Sequence, residues 1–168
     1  MRRVWSLLFI CAILMQLCSC GAYEIMTADS NAIDEMSEEI IRCLIEKDRD
    51  TLEELFCPQV RNNENFEAQM DELYDFFDYD HYIRCDLDGS HAESESQEGG
   101  KRVEWSVCAE IIYLEVVDGE ESRFYGIQYD WTPIYEENAA LVGLHTISIK
   151  LLNTEKSVMV GTEHDFPF

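Results

Sequence analysis

The 168-residue chain is acidic: 35 Asp and Glu residues oppose 12 Lys and Arg residues, which gives a formal net charge of −23. The length suits one domain of ordinary size, and 46% hydrophobic with 11% aromatic residues exclude the composition of a disordered chain. Because the phosphate backbone repels a polyanion, we expect no nucleic-acid partner.

The first 20 residues have the order of a secretory signal. Arg2 and Arg3 precede an apolar stretch from Val4 to Leu17, and small residues follow. The stretch is short for a membrane span, and the chain turns polar from Tyr23 without a basic stop-transfer flank. The leader therefore predicts export.

The leader ends in the letters LCSCG, residues 17–21, which resemble the bacterial lipobox, with Cys18 where that motif usually has Ala, Ser or Thr. The resemblance implies that residues 1–19 are a lipoprotein signal peptide and that Cys20 becomes a lipid-modified, palmitate-bearing N-terminus on the outer side of the cell membrane. Two acyl chains meet the requirement for stable anchoring. The alternative is a simple signal peptide cleaved nearby. We expect residues 20–30 to be a polar tether and residues 31–168 to be a single domain.

Three helices are predicted after the tether. Apolar residues recur at helical spacing from Ala32 to Glu46. The letters DTLE, residues 50–53, resemble a capping box that opens a second short helix, which ends before Pro58. A third helix is expected from Asn65 to Phe77, where apolar residues again share one face.

Beyond Asp78 the apolar period changes from helical to alternating, which is typical of strands. The predicted strands are Tyr82–Leu87, Val103–Tyr113, Tyr125–Trp131, Leu141–Leu151 and Ser157–Val160. The polar run Asp86–Glu98 is interpreted as a solvated loop, and Asp118 with Gly119 marks a hairpin turn. Helices followed by long antiparallel strands predict an α+β fold, with N-terminal helices packed on a curved antiparallel sheet.

Three segments carry a resemblance to a known family: AIDEMSEEIIRCLIEKDRDTLEELF, residues 32–56, DELYDFFD, residues 71–78, and YGIQYDWTPIYEENAALVGLHTISI, residues 125–149. They resemble a family of Gram-positive lipoproteins catalogued as a domain of unknown function, which is similar to the cone-shaped nuclear-transport-factor-two-like superfamily, also called cystatin-like. The resemblance implies a pocket between the helices and the concave sheet face, used by some relatives for catalysis and by many for binding or subunit contact. A fold of this kind does not by itself identify the activity.

The familiar catalytic and metal motifs do not occur in the sequence. It has no Gly-x-Ser-x-Gly elbow, no glycine-rich phosphate loop and no His-Glu-x-x-His zinc helix. An EF-hand loop with Gly89 at its sixth position would have Arg84 at its first, where a carboxylate is needed. We expect no metal and no cofactor.

His145 is the strongest candidate for a functional residue, because alternation places it on the apolar face with Ile147 and Ile149. It could act as a base with a carboxylate, or help to hold a small polar ligand. The other candidates are Asp78 and Asp80 as catalytic carboxylates, and Tyr125, Tyr129 and Trp131 as binding residues. The alternative is a hydrogen-bonded core histidine beside core aromatic residues.

Four cysteines follow Cys20: Cys43, Cys57, Cys85 and Cys108. An exported protein can oxidise them, and Cys85 and Cys108 are a candidate disulfide because they lie on predicted strands that flank one loop. The alternative is a set of small buried thiols.

The sequence therefore favours a noncatalytic, lipid-anchored binding or accessory protein outside the cytoplasm. Its expected partners are the membrane, through the lipid, and a small polar ligand or a protein. The alternative is a small pocket enzyme that uses a His/carboxylate pair. The pattern indicates no particular oligomeric state.

Overall fold

The computed structural model describes residues 28–87 and 90–162. The predicted signal peptide, Cys20 and most of the predicted tether lie outside the described residues. The chain divides into two units, Met1–Met36 and Ser37–Phe168. In the first unit, residues 28–36 are helical, so the end of the predicted tether is helical.

The second unit begins with four helices. Residues 37–46 form α1, followed by α2 (Arg49–Leu55), α3 (Pro58–Arg61) and α4 (Phe66–Phe76). The predicted capping residue Asp50 is wrong: Asp48 caps α2, because its side chain accepts a hydrogen bond from the Thr51 backbone N–H at 3.3 Å. In the described residues, no helix is long and apolar enough to cross a lipid bilayer.

Six strands follow in the part of the chain that the structure describes. They form one antiparallel sheet with the order β1-β3-β4-β5-β6, in which β2 also pairs with β3. They are β1 (His81–Asp86), β2 (His91–Glu98), β3 (Lys101–Asp118), β4 (Glu121–Tyr135), β5 (Gly143–Leu151) and β6 (Ser157–Gly161). A short 3-10 helix, Ala139–Leu141, precedes β5. The predicted α+β class, with helices before an antiparallel sheet, is confirmed.

The interpretation of residues 86–98 as a loop is wrong, because residues 91–98 form strand β2. This strand pairs with β3 from His91 opposite Ala109 to Glu98 opposite Lys101. Gly99 and Gly100 make the connecting turn with φ angles of 59° and 80°, which suit the two central positions of a tight hairpin turn. All eight residues of β2 are exposed. The strand therefore has no apolar face to bury, and its hydrogen-bonded pairing with β3 holds it in place.

The helices cover one face of the sheet, which we call the inner face. Buried residues from β3, β4 and β5 occupy it, among them Ile111, Leu114, Ile127, Ile147 and Ile149. Helix α4 is joined to β6 by two hydrogen bonds between the Gln69 side chain and the Gly161 backbone, at 3.1 and 3.4 Å.

Candidate functional site

His145 lies near the start of β5, at a point where the sheet is irregular. The pairing of β4 with β5 shifts between Asp130 and Trp131, which leaves His145 as an extra residue on β5. Its side chain is buried, with an exposed fraction of 3%. Ile147 and Ile149, which alternation in the sequence places on the same face, are buried as well.

The imidazole of His145 contacts two groups from other elements. Its Nε2 atom lies 2.9 Å from the carbonyl oxygen of Leu141, in the 3-10 helix, and its Nδ1 atom lies 3.8 Å from Sγ of Cys57. A carbonyl oxygen only accepts hydrogen bonds, so Nε2 carries a proton. In the neutral ring Nδ1 is then an acceptor for the Cys57 thiol.

Cys57 is held at the same junction by its own backbone. Its N–H donates to the carbonyl oxygen of Leu144 at 2.9 Å, and the preceding Phe56 forms an isolated parallel bridge with Leu144. Cys57 and His145 are both buried. The thiol and the imidazole therefore join the connection between α2 and α3 to the start of β5.

The two candidate carboxylates lie at the opposite end of the sheet from His145. Asp78 is exposed and forms an ion pair with Lys47 at 3.2 Å. The carboxylate of Asp80 accepts a hydrogen bond from the Gly119 backbone N–H at 2.8 Å, at the turn between β3 and β4. His145 lies beside Asp130, nine residues along β4 from its first residue, a separation of about 30 Å. The predicted His/carboxylate pair is not brought together, because His145 lies near one end of the sheet and the two carboxylates lie near the other end.

The hydroxyl groups of the predicted binding tyrosines bond to the helices. Tyr125 and Tyr129 have exposed fractions of 1% and 0%. The Tyr125 hydroxyl donates to the carbonyl oxygen of Phe76 at 3.3 Å, and the Tyr129 hydroxyl lies 2.8 Å from Oγ of Ser37. These two tyrosines are core residues that tie β4 to α4 and α1.

Trp131, the third predicted binding residue, is half-buried. Its ring centroid lies 5.6 Å from that of Trp105. Trp105 itself is buried, its indole N–H donates to Glu93 at 2.8 Å, and the Arg102 guanidinium lies over its ring. Trp131 is thus part of an aromatic pair, at some distance along β4 from Tyr125.

The predicted disulfide between Cys85 and Cys108 is wrong, because both thiols are free. The register of the sheet explains this: Cys85 lies opposite Leu114 of β3. Cys108 precedes Leu114 by six residues on that strand, about 20 Å away, whereas a disulfide needs Cα atoms within about 7 Å. Cys43 and Cys57 are also free and buried, as the alternative of small buried thiols predicts.

A polar pocket of about 450 Å³ lies beside α2 and α4, lined by Lys47, Arg49, Asp71, Tyr74 and Asp75. Its two cations are already paired with carboxylates. Lys47 pairs with Asp78, and Arg49 pairs with Glu53, Glu67 and Asp71. This pocket is therefore a set of surface ion pairs. Within the described ranges, no group of three or more His, Cys, Asp or Glu side chains has an arrangement that could hold a metal ion.

A second depression lies between α1 and β1, and we call it the α1–β1 groove. It has a volume of about 290 Å³ and is lined by Glu38, Ile41, Arg42, Tyr82, Cys85 and Leu87. Tyr82 and Cys85 lie opposite Val116 and Leu114 of β3, two buried residues of the inner face. The groove therefore lies at the margin of the inner face, between α1 and the edge strand β1.

The thiol of Cys85 contributes to the apolar character of the groove. Burial, with a smaller effect from the neighbouring Asp86, raises its pKa to about 11. The thiol therefore stays protonated near neutral pH and behaves as a small apolar group, not as a nucleophile.

Arg42 holds three carboxylates at one end of the groove. Its guanidinium bonds to Glu39 at 2.8 and 2.9 Å, to Glu46 at 2.7 Å and to Asp48 at 2.9 Å. The hydrogen bond from Arg42 holds the pKa of Glu39 below its usual value. Hydrogen bonds from Thr51, and then from Arg42, lower the pKa of Asp48. Three negative charges therefore surround one positive charge.

Among the residues that line the α1–β1 groove, Cys85 is a predicted site residue, as half of a candidate disulfide, and none of the others is. The sequence does contain one indication of this surface: Tyr82 and Ile83 are two consecutive apolar residues in a predicted strand that follows a polar stretch. The pattern gives no indication of which helix lies beside that strand, because the lining residues come from segments about 40 residues apart.

A family model described as Domain of unknown function (DUF5104) matches residues 39–156. The chain belongs to this family. The matched region includes most of the lining of the α1–β1 groove, the sheet and the Cys57–His145 contact. The resemblance to a family of that description is confirmed. No curated protein matched the sequence.

Proposed function

We propose that this family member is a lipid-anchored binding or accessory protein that works outside the cytoplasm and carries out no catalysis of its own. One observation carries the noncatalytic part of the proposal. The polar groups expected to line a catalytic pocket, those of His145, Tyr125 and Tyr129, are buried and bonded to the chain itself. A functional polar group must face a ligand, whereas these groups join helices to strands.

The alternative, a pocket enzyme that uses His145 with Asp78 or Asp80, needs one of these two carboxylates beside the imidazole. Asp78 and Asp80 lie at the far end of β4, where one pairs with Lys47 and the other caps the Gly119 turn. Among the described residues, an apolar opening lies instead at the sheet edge, between α1 and β1. An opening of this kind at an edge favours binding over chemistry.

The order of the elements also supports a nuclear-transport-factor-two-like cone for the second unit. Helices precede long antiparallel strands, and they cover one face of the sheet. The proposed address outside the cytoplasm rests on the signal-like leader and on the lipobox-like residues 17–21.

Metabolic labelling tests the anchor. Wild-type and Cys20→Ala chains are expressed in a Gram-positive host with radiolabelled palmitate, and intact cells are treated with an external protease. We expect label only in the wild type, and digestion of the wild-type domain from outside. Cys18→Ala is the matched control and should remain labelled. Label in Cys20→Ala, or protection of the wild-type domain from the protease, would contradict the proposal.

A further inference from the structure

We propose that the α1–β1 groove docks an extended, basic segment of a partner protein and takes one apolar side chain of that segment. This inference rests on the proposed binding function and assigns it a surface and a partner chemistry. Three observations support it: the shape and lining of the groove, the apolar edge strand at its mouth, and the charge around it.

The groove has the size and lining of a side-chain pocket. Its volume of about 290 Å³ lies at the low end of small-molecule sites, which suits a protein side chain better than a cofactor. Ile41, Leu87 and the protonated thiol of Cys85 provide apolar walls. An apolar side chain that enters the groove leaves water and packs against these walls.

The strand that lines one side of the groove also exposes apolar side chains. Tyr82 and Ile83 have exposed fractions of 40% and 50%, and they are consecutive residues of β1. The pairing of β1 with β3 shifts between Tyr82 and Arg84, so Ile83 is an extra residue that projects at the edge. Strand β2, which pairs with the same side of β3, shows the contrast, because its exposed sequence is HAESESQE. Exposed apolar surface on this edge is thus concentrated on β1.

An edge strand favours an extended occupant. β1 is terminal in the strand order of the described sheet, and a strand at the edge of a sheet can pair with a further strand. An extended peptide that adds to such an edge gains backbone hydrogen bonds, and a neighbouring pocket then selects its side chains.

The charge around the groove decides between the candidate occupants. Glu38 lies in the lining, and three carboxylates surround the single guanidinium of Arg42. The whole chain carries −23, so an anionic lipid surface and a second copy of the chain are both repelled. Lys and Arg side chains of a partner are attracted to the same rim, which makes a basic protein segment the occupant of complementary charge.

Peptide selection tests this proposal. The full-length chain is reconstituted in phosphatidylcholine nanodiscs and exposed to a phage library of random short peptides. The enriched peptides are synthesised, and their affinity for the chain is measured by fluorescence polarisation at low and high salt. We expect enriched peptides that have Lys or Arg beside an apolar residue, with weaker binding at high salt.

Two variants and two matched controls locate the binding. Tyr82→Ser combined with Ile83→Ser should weaken binding about tenfold or more, and Glu38→Lys should weaken it severalfold. The controls are Met159→Ser, an exposed apolar residue of β6, and Glu54→Lys, an exposed acidic residue of α2. Both should bind like the wild type. Thermal melts check that each variant is folded, and Glu38→Lys changes only an exposed position of α1.

Four results would overturn the proposal: no enrichment, enrichment of acidic peptides, equal losses in the control variants, or equal binding by all variants. Tight binding to phosphatidylglycerol vesicles, which the double variant abolishes, would assign the groove to a lipid surface instead. Self-association that the same variant abolishes would assign it to a second copy. Palmitate labelling at Cys20 does not depend on the groove, so the proposal of a lipid anchor and the proposal of a docking site can be rejected independently.

Discussion

The Nδ1 atom of His145 lies 3.8 Å from the Sγ atom of Cys57, a residue 88 positions earlier in the chain. This contact closes the junction between the α2–α3 connection and β5, and the second ring nitrogen bonds to Leu141. Both side chains are buried. We therefore interpret His145 as a structural residue, whose imidazole links β5 to the α2–α3 connection.

His145→Gln should lower the free energy of unfolding by about 1 to 3 kcal/mol, because it disturbs a buried hydrogen bond. It should leave peptide binding at the α1–β1 groove unchanged in the folded molecules. Thermal melts and fluorescence polarisation measure the two effects. His81→Gln is the control, because His81 is exposed, and it should change stability by less than about 0.5 kcal/mol. Unchanged stability together with lost binding would show that the imidazole serves a ligand.

Ile147→Asp tests which side of β5 faces the core. Ile147 has an exposed fraction of 0%, whereas Ser148 is half-buried and lies between Gln128 and the exposed Met159. An unpaired charge at Ile147 should cost several kcal/mol, and Ser148→Asp should cost less than about 1 kcal/mol. Denaturant titration of the two variants measures the difference. Equal costs would place both side chains in similar surroundings and contradict the assignment of the two faces.

Apolar spacing predicted the elements that bury one side. Phe66, Met70, Leu73 and Phe77 recur at helical intervals, and all four are buried. In the second half of β5, Ile147 and Ile149 are buried, whereas Ser148 is half-buried and Lys150 is exposed. Burial of a repeating apolar face is the main force that selects such elements, so the pattern in the sequence is sufficient to find them.

Strand β2 and the contacts between distant segments depend on different forces. The letters HAESESQE have no apolar face, and the strand forms because β3 extends far enough to pair with it. The Cys57–His145 contact and the α1–β1 groove depend on which elements become neighbours. The disulfide prediction is wrong for a related reason, since membership of adjacent strands does not determine the register, and the register separates Cys85 from Cys108.

Gly161→Ala should be strongly destabilising. Gly161 has a φ angle of 97°, and an added Cβ would lie 1.9 Å from the carbonyl oxygen of His145. The backbone of β5 or β6 would have to move, so we expect the free energy of unfolding to fall by more than about 3 kcal/mol in denaturant titrations.

Gly99→Ala is the matched control, because Gly99 has a φ angle of 59° with no heavy atom within 4 Å of the added Cβ. It should lose only about 1 to 2 kcal/mol, the cost of a left-handed conformation. Similar losses of stability in the two variants would contradict the close packing of Gly161 against the His145 backbone.

The carboxylates around Arg42 predict a pH-dependent stability. In the folded chain the pKa values of Glu39 and Asp48 are lowered, the first mainly by Arg42 and the second by Thr51 and Arg42. A group whose folded-state pKa is lowered stabilises the fold above its ordinary pKa, and this stabilisation disappears as the pH falls through the folded-state value. The contribution of Arg42 should therefore be complete at neutral pH and vanish in acid.

Arg42→Met removes the guanidinium but keeps an apolar stem of similar reach. Thermal melts of both chains between about pH 7 and pH 3 should show a lower Tm for the variant at neutral pH, and a difference that shrinks below about pH 4, the ordinary range of carboxyl groups. Arg61→Met removes the same charge from an exposed position of α3 and controls for the change in net charge. If the Arg42→Met difference persisted unchanged in acid, Arg42 would act through the packing of its stem and not through the three carboxylates.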